Sequence, residues 1–333
     1  MSNRDQILIA LDAMGGDNAP EAAVAGAVQA LSFDNRVAIA LVGKEQAIKE
    51  CLAKHKYEAA HVAIVNAGEV ITPDEHPTAA IRNKKDSSIV VGINMVRHDQ
   101  AQAFVSAGST GALLACATVT IGRLPGVERP ALATMLPNEK GFTFLIDSGA
   151  NVDCKPTYLA QFGKMGYVYM KNVMKLENPR VGLVNIGAEE DKGDELTKEA
   201  YKLLSASGIN FVGNIEPRDI FRGDCDVLVC DGFAGNVILK QSEGMASFLL
   251  KMLKNELMAS PVSKFGALLS KGAYDNLRKR MDYSEVGGAP FLGLKSLVVK
   301  AHGSSDARAM ASAVRQCVSF IDANIVEELQ NLL

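Results

Sequence analysis

Paired cysteines are missing. The six cysteines (51, 116, 154, 225, 230 and 317) show no C-x-x-C spacing, which argues against a zinc site or a thioredoxin-like pair. Several lie inside apolar runs, as reduced, buried thiols of a cytoplasmic protein would. Cys154, in Val152-Asp153-Cys154-Lys155, has no histidine near it in sequence to activate it as a nucleophile. No apolar run is long enough to span a bilayer, and no signal peptide is expected, since Met1-Ser2-Asn3-Arg4-Asp5 leads straight into a strand. Neither sign of charge dominates: the net is -3, which argues against a dedicated nucleic-acid binder. The chain lacks G-x-x-x-x-G-K-S/T, G-x-G-x-x-G, H-E-x-x-H and G-x-S-x-G. Their absence weakens ATP-driven, dinucleotide, zinc-protease and serine-hydrolase readings. Histidine is sparse, at five residues, so His302 stands out because it follows an apolar run and precedes Gly-Ser-Ser.

What is present is a soluble composition, 48% hydrophobic and 22% charged over 333 residues. Short apolar runs alternate with helical periodicity, the pattern of a parallel α/β sheet covered on both faces. Strands are expected at 7–12, 37–43, 62–66, 103–106, 132–136, 142–147, 181–186, 226–231 and 297–301. Helices are clearest at 20–31, 45–54, 88–98, 157–174, 195–205, 236–254 and 305–329. No fixed-length repeat or low-complexity linker divides them. The expectation is one α/β unit over residues 1–333 with a helical excursion at about 251–282.

The ends of the apolar runs carry the chemistry. Asp12 to Asp17, Ser106 to Gly111, Asp147 to Asn151, Asn185 to Glu190, Asp231 to Asn236 and His302 to Asp306 are all small, polar and glycine-bearing. In open α/β sheets ligands sit beyond the carboxyl ends of strands, so these six loops are expected to converge on one face. Ser106-Ala107-Gly108-Ser109-Thr110-Gly111 precedes an apolar helix at 112–121. Free amides and the dipole at a helix start favour an anion, and Ser109 or Thr110 as N-cap would complete a phosphate cradle. Capping alone is the other reading of the same residues.

Between Lys251 and Arg280, seven basic residues stand against two acidic ones, a local excess of +5. Val262, Phe265, Leu268 and Leu269 can gather on one side of a helix with Lys264 and Lys271 at its margins, and Pro261 fits its start. That pattern suits an element lying on an anionic membrane or meeting an acidic partner. A helical pair in a dimer interface would show the same periodicity.

Several stretches together resemble the phosphate acyltransferase family of bacterial phospholipid synthesis. They are Leu11-Asp12-Ala13-Met14-Gly15-Gly16-Asp17, Ser106 to Leu113, Gly126-Val127-Glu128-Arg129-Pro130-Ala131 and Gly149-Ala150-Asn151-Val152-Asp153. Asn185-Ile186-Gly187 with Lys192-Gly193, Cys230-Asp231-Gly232-Phe233 with Gly235-Asn236, and His302-Gly303 continue the likeness in order along nearly the whole chain. The resemblance implies a three-layer α/β/α sandwich with a mostly parallel sheet, similar to phosphotransacetylase and the isocitrate/isopropylmalate dehydrogenase group. It also implies reversible transfer of a long-chain fatty acyl group from acyl carrier protein to inorganic phosphate. The product, acyl phosphate, would feed a membrane glycerol-3-phosphate acyltransferase in phospholipid (phosphatidic acid) synthesis. A homodimer attached peripherally to the inner face of the cell membrane is implied too. Asp306 stands where relatives often have Asn, and adds negative charge near the phosphate loops.

The chemistry fits these residues without a cofactor or metal. Phosphate is already anionic, so its attack on a thioester needs positioning more than a strong base. A thiol leaving group, with a pKa near ~8.5, needs little acid help. Phosphate and substrate contacts are expected from Ser106, Gly108, Ser109, Thr110, Asn151, Asn185, Ser304 and Ser305, with Lys192 or Arg308 as a charge partner. Asn236 and His302 are candidate oxyanion donors, and Asp231 a candidate base for the reverse reaction. Val262, Phe265, Leu268 and Leu269 are the expected membrane contacts. The rival readings are a phosphotransacetylase-like acyl-coenzyme A:phosphate transferase, a dehydrogenase holding a divalent metal at Asp147, Asp153 and Asp231, and a non-catalytic membrane scaffold.

Overall fold

The computed structural model describes residues 6–281 and 287–332. The expected end of the excursion, at residue 282, and the leading Met1–Asp5 stretch lie outside them. One sheet of eleven strands runs through the molecule in the order β3-β2-β1-β4-β11-β10-β5-β6-β9-β7-β8. Its strands are β1 (Ile7–Asp12), β2 (Val37–Gly43), β3 (Val62–Asn66), β4 (Ala103–Ser106), β5 (Ala131–Asn138), β6 (Gly141–Ile146), β7 (Val181–Val184), β8 (Phe211–Ile215), β9 (Val227–Val229), β10 (Ala289–Leu292) and β11 (Leu297–Lys300).

Alternation along the strands makes the three layers, because successive side chains point to opposite faces. Ile7, Ile9 and Leu11 of β1 pack with Val24 and Ala27 of α1 (Glu21–Ala30) and Met310 and Val314 of α11 (Ala307–Asp322). Ala10 faces the other way, toward Ile89 and Ile93 of α4 (Ser88–Arg97) and Leu113 of α5 (Thr110–Thr120). In the other half of the sheet, α6 (Pro156–Asn172) covers one face. Leu145 and Leu228 meet Ile238 and Leu239 of α8 (Gly232–Leu257) on the opposite face. The remaining helices are α2 (Glu45–Leu52), α3 (Pro77–Asn83), α7 (Glu195–Ser205), α9 (Pro261–Leu269), α10 (Lys271–Met281) and α12 (Ile325–Leu332).

The sheet is mostly parallel, with one seam. β10 is antiparallel to both β11 and β5, and β5 is antiparallel to β6. Three reversals leave β6, β9, β7 and β8 running opposite to β1, β4 and β11. The carboxyl ends of the two sets therefore do not lie on one edge, and the site forms where the sets face each other across the seam. The chain also departs from expectation at 305–329: α11 ends at Asp322, Asn324 is left-handed (φ 47°), and α12 starts at Ile325.

Candidate active site

On one side of the seam the loops after β1, β4 and β11 interlock. Ser106, fully buried at the end of β4, donates its hydroxyl to Asp12 Oδ2 at 2.6 Å, and its Oγ accepts the Gly108 N–H at 3.0 Å. Burial, which disfavours a charge away from water, holds the Asp12 carboxyl above its usual range against the hydrogen bonds it accepts from Ser106 and the Met14 N–H. A Cβ on Gly15 would lie 2.6 Å from the Gly108 nitrogen, so the β1 loop reaches the β4 loop only with glycine there. Asp17 N–H donates to the Gly303 carbonyl at 2.8 Å. Asn18 Nδ2 reaches the carbonyls of Ser304 and Ser305 at 3.2 Å each.

On the other side, Asp147 organises the loop after β6. It accepts the backbone N–H groups of Leu132, Gly149, Ala150 and Asn151 and the Asn151 side-chain amide, at 2.7–3.1 Å. Burial nevertheless raises its pKa. The start of α8 is pressed onto this loop: a Cβ on Gly235 would overlap the Asp147 carbonyl oxygen. Asp231 caps α8, its Oδ1 accepting the Ala234 N–H at 2.9 Å. That contact aims the first turns of α8, with Asn236, Lys240 and Glu243 at helical spacing, across the seam.

Between the two sides lies a cavity of about 310 Å³. Thr110, Lys300 and His302 line it from the first set of loops; Ser148, Asn236, Lys240 and Glu243 line it from the second; Thr134 and Ala289 lie along the seam itself. Its charge is cationic. Lys240 Nζ sits 3.4 Å from His302 Nε2 and 2.8 Å from Glu243 Oε2. On its other side, His302 Nδ1 lies 2.8 Å from Ser304 Oγ and 3.3 Å from the Ser304 backbone nitrogen. Lys300 Nζ donates to the Ala107 carbonyl at 3.2 Å and to the Ala301 carbonyl. Burial first, and the Lys240 ammonium against the attraction of Asp12, push Lys300 down to about 8. Partial burial, then Lys240, lowers the His302 imidazole below its ordinary value.

The residues expected from sequence divide into three groups. Thr110, Asn236 and His302 line the cavity together. Ser106, Ser109 and Asn151 build its walls: Ser106 is spent on Asp12, Ser109 Oγ accepts the Ala112 N–H at 3.4 Å as the α5 cap, and Asn151 Nδ2 bridges Pro130 and Asp147. Gly108 stands between Ser106 and the α5 cap, Ser304 orients His302, and Ser305 is buried beneath. Asn185 and Lys192 belong to the β7 loop, where Asn185 Nδ2 donates to the Lys192 carbonyl at 3.1 Å. Neither lines the cavity. The β7 loop thus stands apart from the five that meet. Arg308 lies exposed in the first turn of α11, and Asp306 caps that helix through the Ala309 N–H at 2.9 Å, as an asparagine could. Val262, Phe265, Leu268 and Leu269 of α9 are 65–82% exposed.

Lys240, Lys300, Glu243, Thr134 and Ser148 were missed by sequence reasoning. Lys300 had a signal, as the one charge closing Leu297-Val298-Val299. Lys240 and Glu243 follow Asn236 at i+4 and i+7. Cys154 is a poor nucleophile: burial, then the neighbouring Asp147, push its thiol up to about 12. Among the described residues no cluster of three or more His, Cys, Asp or Glu is placed to hold a metal ion.

This cavity can hold a small anion against two ammonium groups and the start of α5, with an amide, a hydroxyl and an imidazole around it. The fold is that of the EutD phosphotransacetylase from Staphylococcus aureus, with a TM-score of 0.62 at 16% identity over 98% of this chain and 94% of that one. A 4-hydroxythreonine-4-phosphate dehydrogenase from Klebsiella pneumoniae shares it more distantly, at a TM-score of 0.52 and 13% identity, over 94% and 99% of the two chains. In sequence, the phosphate acyltransferase of Clostridium perfringens is 52% identical over 322 residues, 96% of this chain and 95% of its own length. That of Clostridium acetobutylicum is 50% identical over 327 residues, 98% and 99% of the two chains. A model of the fatty acid synthesis protein family matches residues 7–328. With a family match of that extent and relatives at half identity, the chain belongs to the phosphate acyltransferase family of enzymes.

Proposed function

We propose that this enzyme transfers a long-chain fatty acyl group from acyl carrier protein to inorganic phosphate, supplying acyl phosphate for phospholipid synthesis. The observation that carries this reading is the placing of Lys240, Lys300 and His302 opposite the start of α5 in one cavity. Phosphate would bind at the first turn of α5 beside Thr110, neutralised by Lys300. Its oxygen attacks the thioester carbonyl, forming the new C–O bond. The tetrahedral oxyanion meets the Asn236 amide and the Lys240 ammonium, which His302 and Glu243 hold in place. Collapse breaks the C–S bond, and the thiolate takes up the proton that the attacking hydrogen phosphate gives up on becoming acyl phosphate, leaving as the carrier thiol. Asp231 serves by fixing the start of α8 rather than by moving a proton.

Two extensions rest on the exposed helices. Val237, Met245, Phe248, Met252 and Leu253 leave α8 with a broad apolar surface, 39–56% exposed, which suits a second copy of the chain. Val262, Phe265, Leu268 and Leu269 on α9 suit reversible contact with an anionic membrane, at the inner face of the cell membrane. There the product would meet the glycerol-3-phosphate acyltransferase that consumes it. Among the described residues no helix is long and apolar enough to cross a membrane.

The test offers purified protein long-chain acyl carrier protein, acyl coenzyme A and phosphate, without ATP or added metal, and follows acyl phosphate as its hydroxamate. Faster turnover with the carrier-protein donor is expected. Equal or better turnover with coenzyme A would transfer the assignment to a phosphotransacetylase-like activity.

A further inference from the structure

A second hollow, about 600 Å³, opens beside the polar cavity and shares two wall residues with it, Leu239 and Glu243. It runs along α8 past Met245, Ala246 and Leu249 toward Leu277 of α10, with Leu136 of β5 and Phe221 on its far side. Its exposed surface is mostly apolar, although Asn138, Glu139 and Gln241 also belong to its lining. Ser242, which also lines it, returns its hydroxyl to the Ile238 carbonyl at 2.7 Å, and Glu243 is held by Lys240 at the junction. The volume lies within the roughly 300–1,000 Å³ of small-molecule sites.

We infer that this trough is the acyl-chain subsite: the thioester carbonyl lies beside Asn236 and Lys240, and the hydrocarbon chain passes over Leu239 and along α8 toward Leu277. Polar and apolar cavities adjoin, with Leu239 and Glu243 in the wall of both, and an acyl thioester is a molecule with that polarity, a polar reacting end on a long apolar tail. The Lys240–Glu243 pair marks the change from one to the other. The inference rests on the acyl-transfer reading above and adds a location and a ruler. The depth of the trough beyond Leu239 sets which chain lengths are turned over.

Ala246→Trp fills the trough partway along, and Leu277→Trp fills it from a separate helix. Excluding even one methylene from an apolar pocket is worth ~10-fold or more in discrimination. The expected result is that the kcat/KM ratio of hexadecanoyl over octanoyl carrier protein falls by at least ~10-fold in both variants. Phe248→Ala, on α8 but outside the trough, should leave the ratio unchanged. Circular dichroism and sedimentation check fold and mass. An unaltered ratio in folded tryptophan variants overturns the subsite while leaving the transfer reading standing. So does an equal shift in Phe248→Ala. A change of oligomeric mass without a change of ratio assigns the trough to contact between copies instead. Wild type inert toward phosphate with every donor would fell the transfer reading, and the subsite with it.

Discussion

Lys240 and His302 meet at 3.4 Å from opposite sides of the seam, one on α8 and the other on the loop after β11. The contact holds an ammonium where a developing oxyanion would need it, and it depends on both halves of the sheet being in register. Replacing Lys240 by Met should therefore have two separable effects. Phosphate-dependent kcat/KM should fall by ~100-fold, on the scale of a lost oxyanion donor. The His302 imidazole should also titrate at higher pH, because removing a neighbouring cation favours the protonated ring. Imidazole chemical shifts followed against pH would show it, and an unmoved titration would separate the two residues.

Lys300 predicts a basic limb in the rate profile. Its pKa is lowered to about 8 by burial, so the ammonium is present below that value and lost above it. The KM for phosphate should rise as pH passes through about 8. In Lys300→Arg the guanidinium stays charged across the range, and the limb should shift upward or vanish. An identical limb in that variant would place the titration on another group.

Ser109→Asp keeps an N-cap, since Asp caps as well as Ser does, but sets a negative charge at the mouth of the proposed anion site. Expected is a rise of about tenfold or more in phosphate KM, on the scale of a pKa unit of charge interaction, with thermal unfolding little changed. Phosphate dependence equal to wild type would move the anion away from α5.

Gly235→Ala should cost about 2 kcal/mol in stability, the scale of overpacking, because the added methyl overlaps the Asp147 carbonyl oxygen. Urea unfolding measures it. Activity should fall further than stability does, as α8 is displaced and carries Asn236 and Lys240 with it.

Phe265→Glu combined with Leu269→Glu should abolish sedimentation with anionic vesicles while preserving transfer to soluble substrates. Each basic residue near such a surface contributes on the order of 1 kcal/mol, so wild-type binding should weaken steeply with salt. Undiminished vesicle binding by the variant would remove α9 from the membrane, and loss of dimerisation would assign it to the subunit interface.

The strands of the first half were legible because β1 is apolar up to its closing Asp12, and β2 is an apolar run buried at all seven positions. The seam was not. β10 is four residues long, contains Pro290 and sits between Gly287-Gly288 and Gly293, all signals that demote a strand. Asn138-Glu139-Lys140-Gly141 closes a two-residue hairpin between β5 and β6 and could have revealed the first reversal. β8 escaped notice because Gly213 interrupts an edge strand. In the site, glycine-polar loops marked the walls well. They did not show that Ser106 and Asn151 point into the structure, because only tertiary contact with Asp12 and Asp147 decides that. Lysines at a strand end and on a helix face read as solvated charge until the seam brings them together.

Strand β11 lies between β4 and β10, and this position orders events in time. While the chain emerges from the ribosome, β4 has β1 on one side and an open edge on the other, a hazard for a growing chain. That edge closes only when Leu297–Lys300 arrives and pairs with Ala103–Ser106, nearly two hundred residues after β4 was made. The same short segment carries Lys300 and, just beyond it, His302, so one stretch of chain both covers the β4 edge and brings the second lysine to the cavity. A chain that stops short of this segment lacks the lysine pair of the cavity.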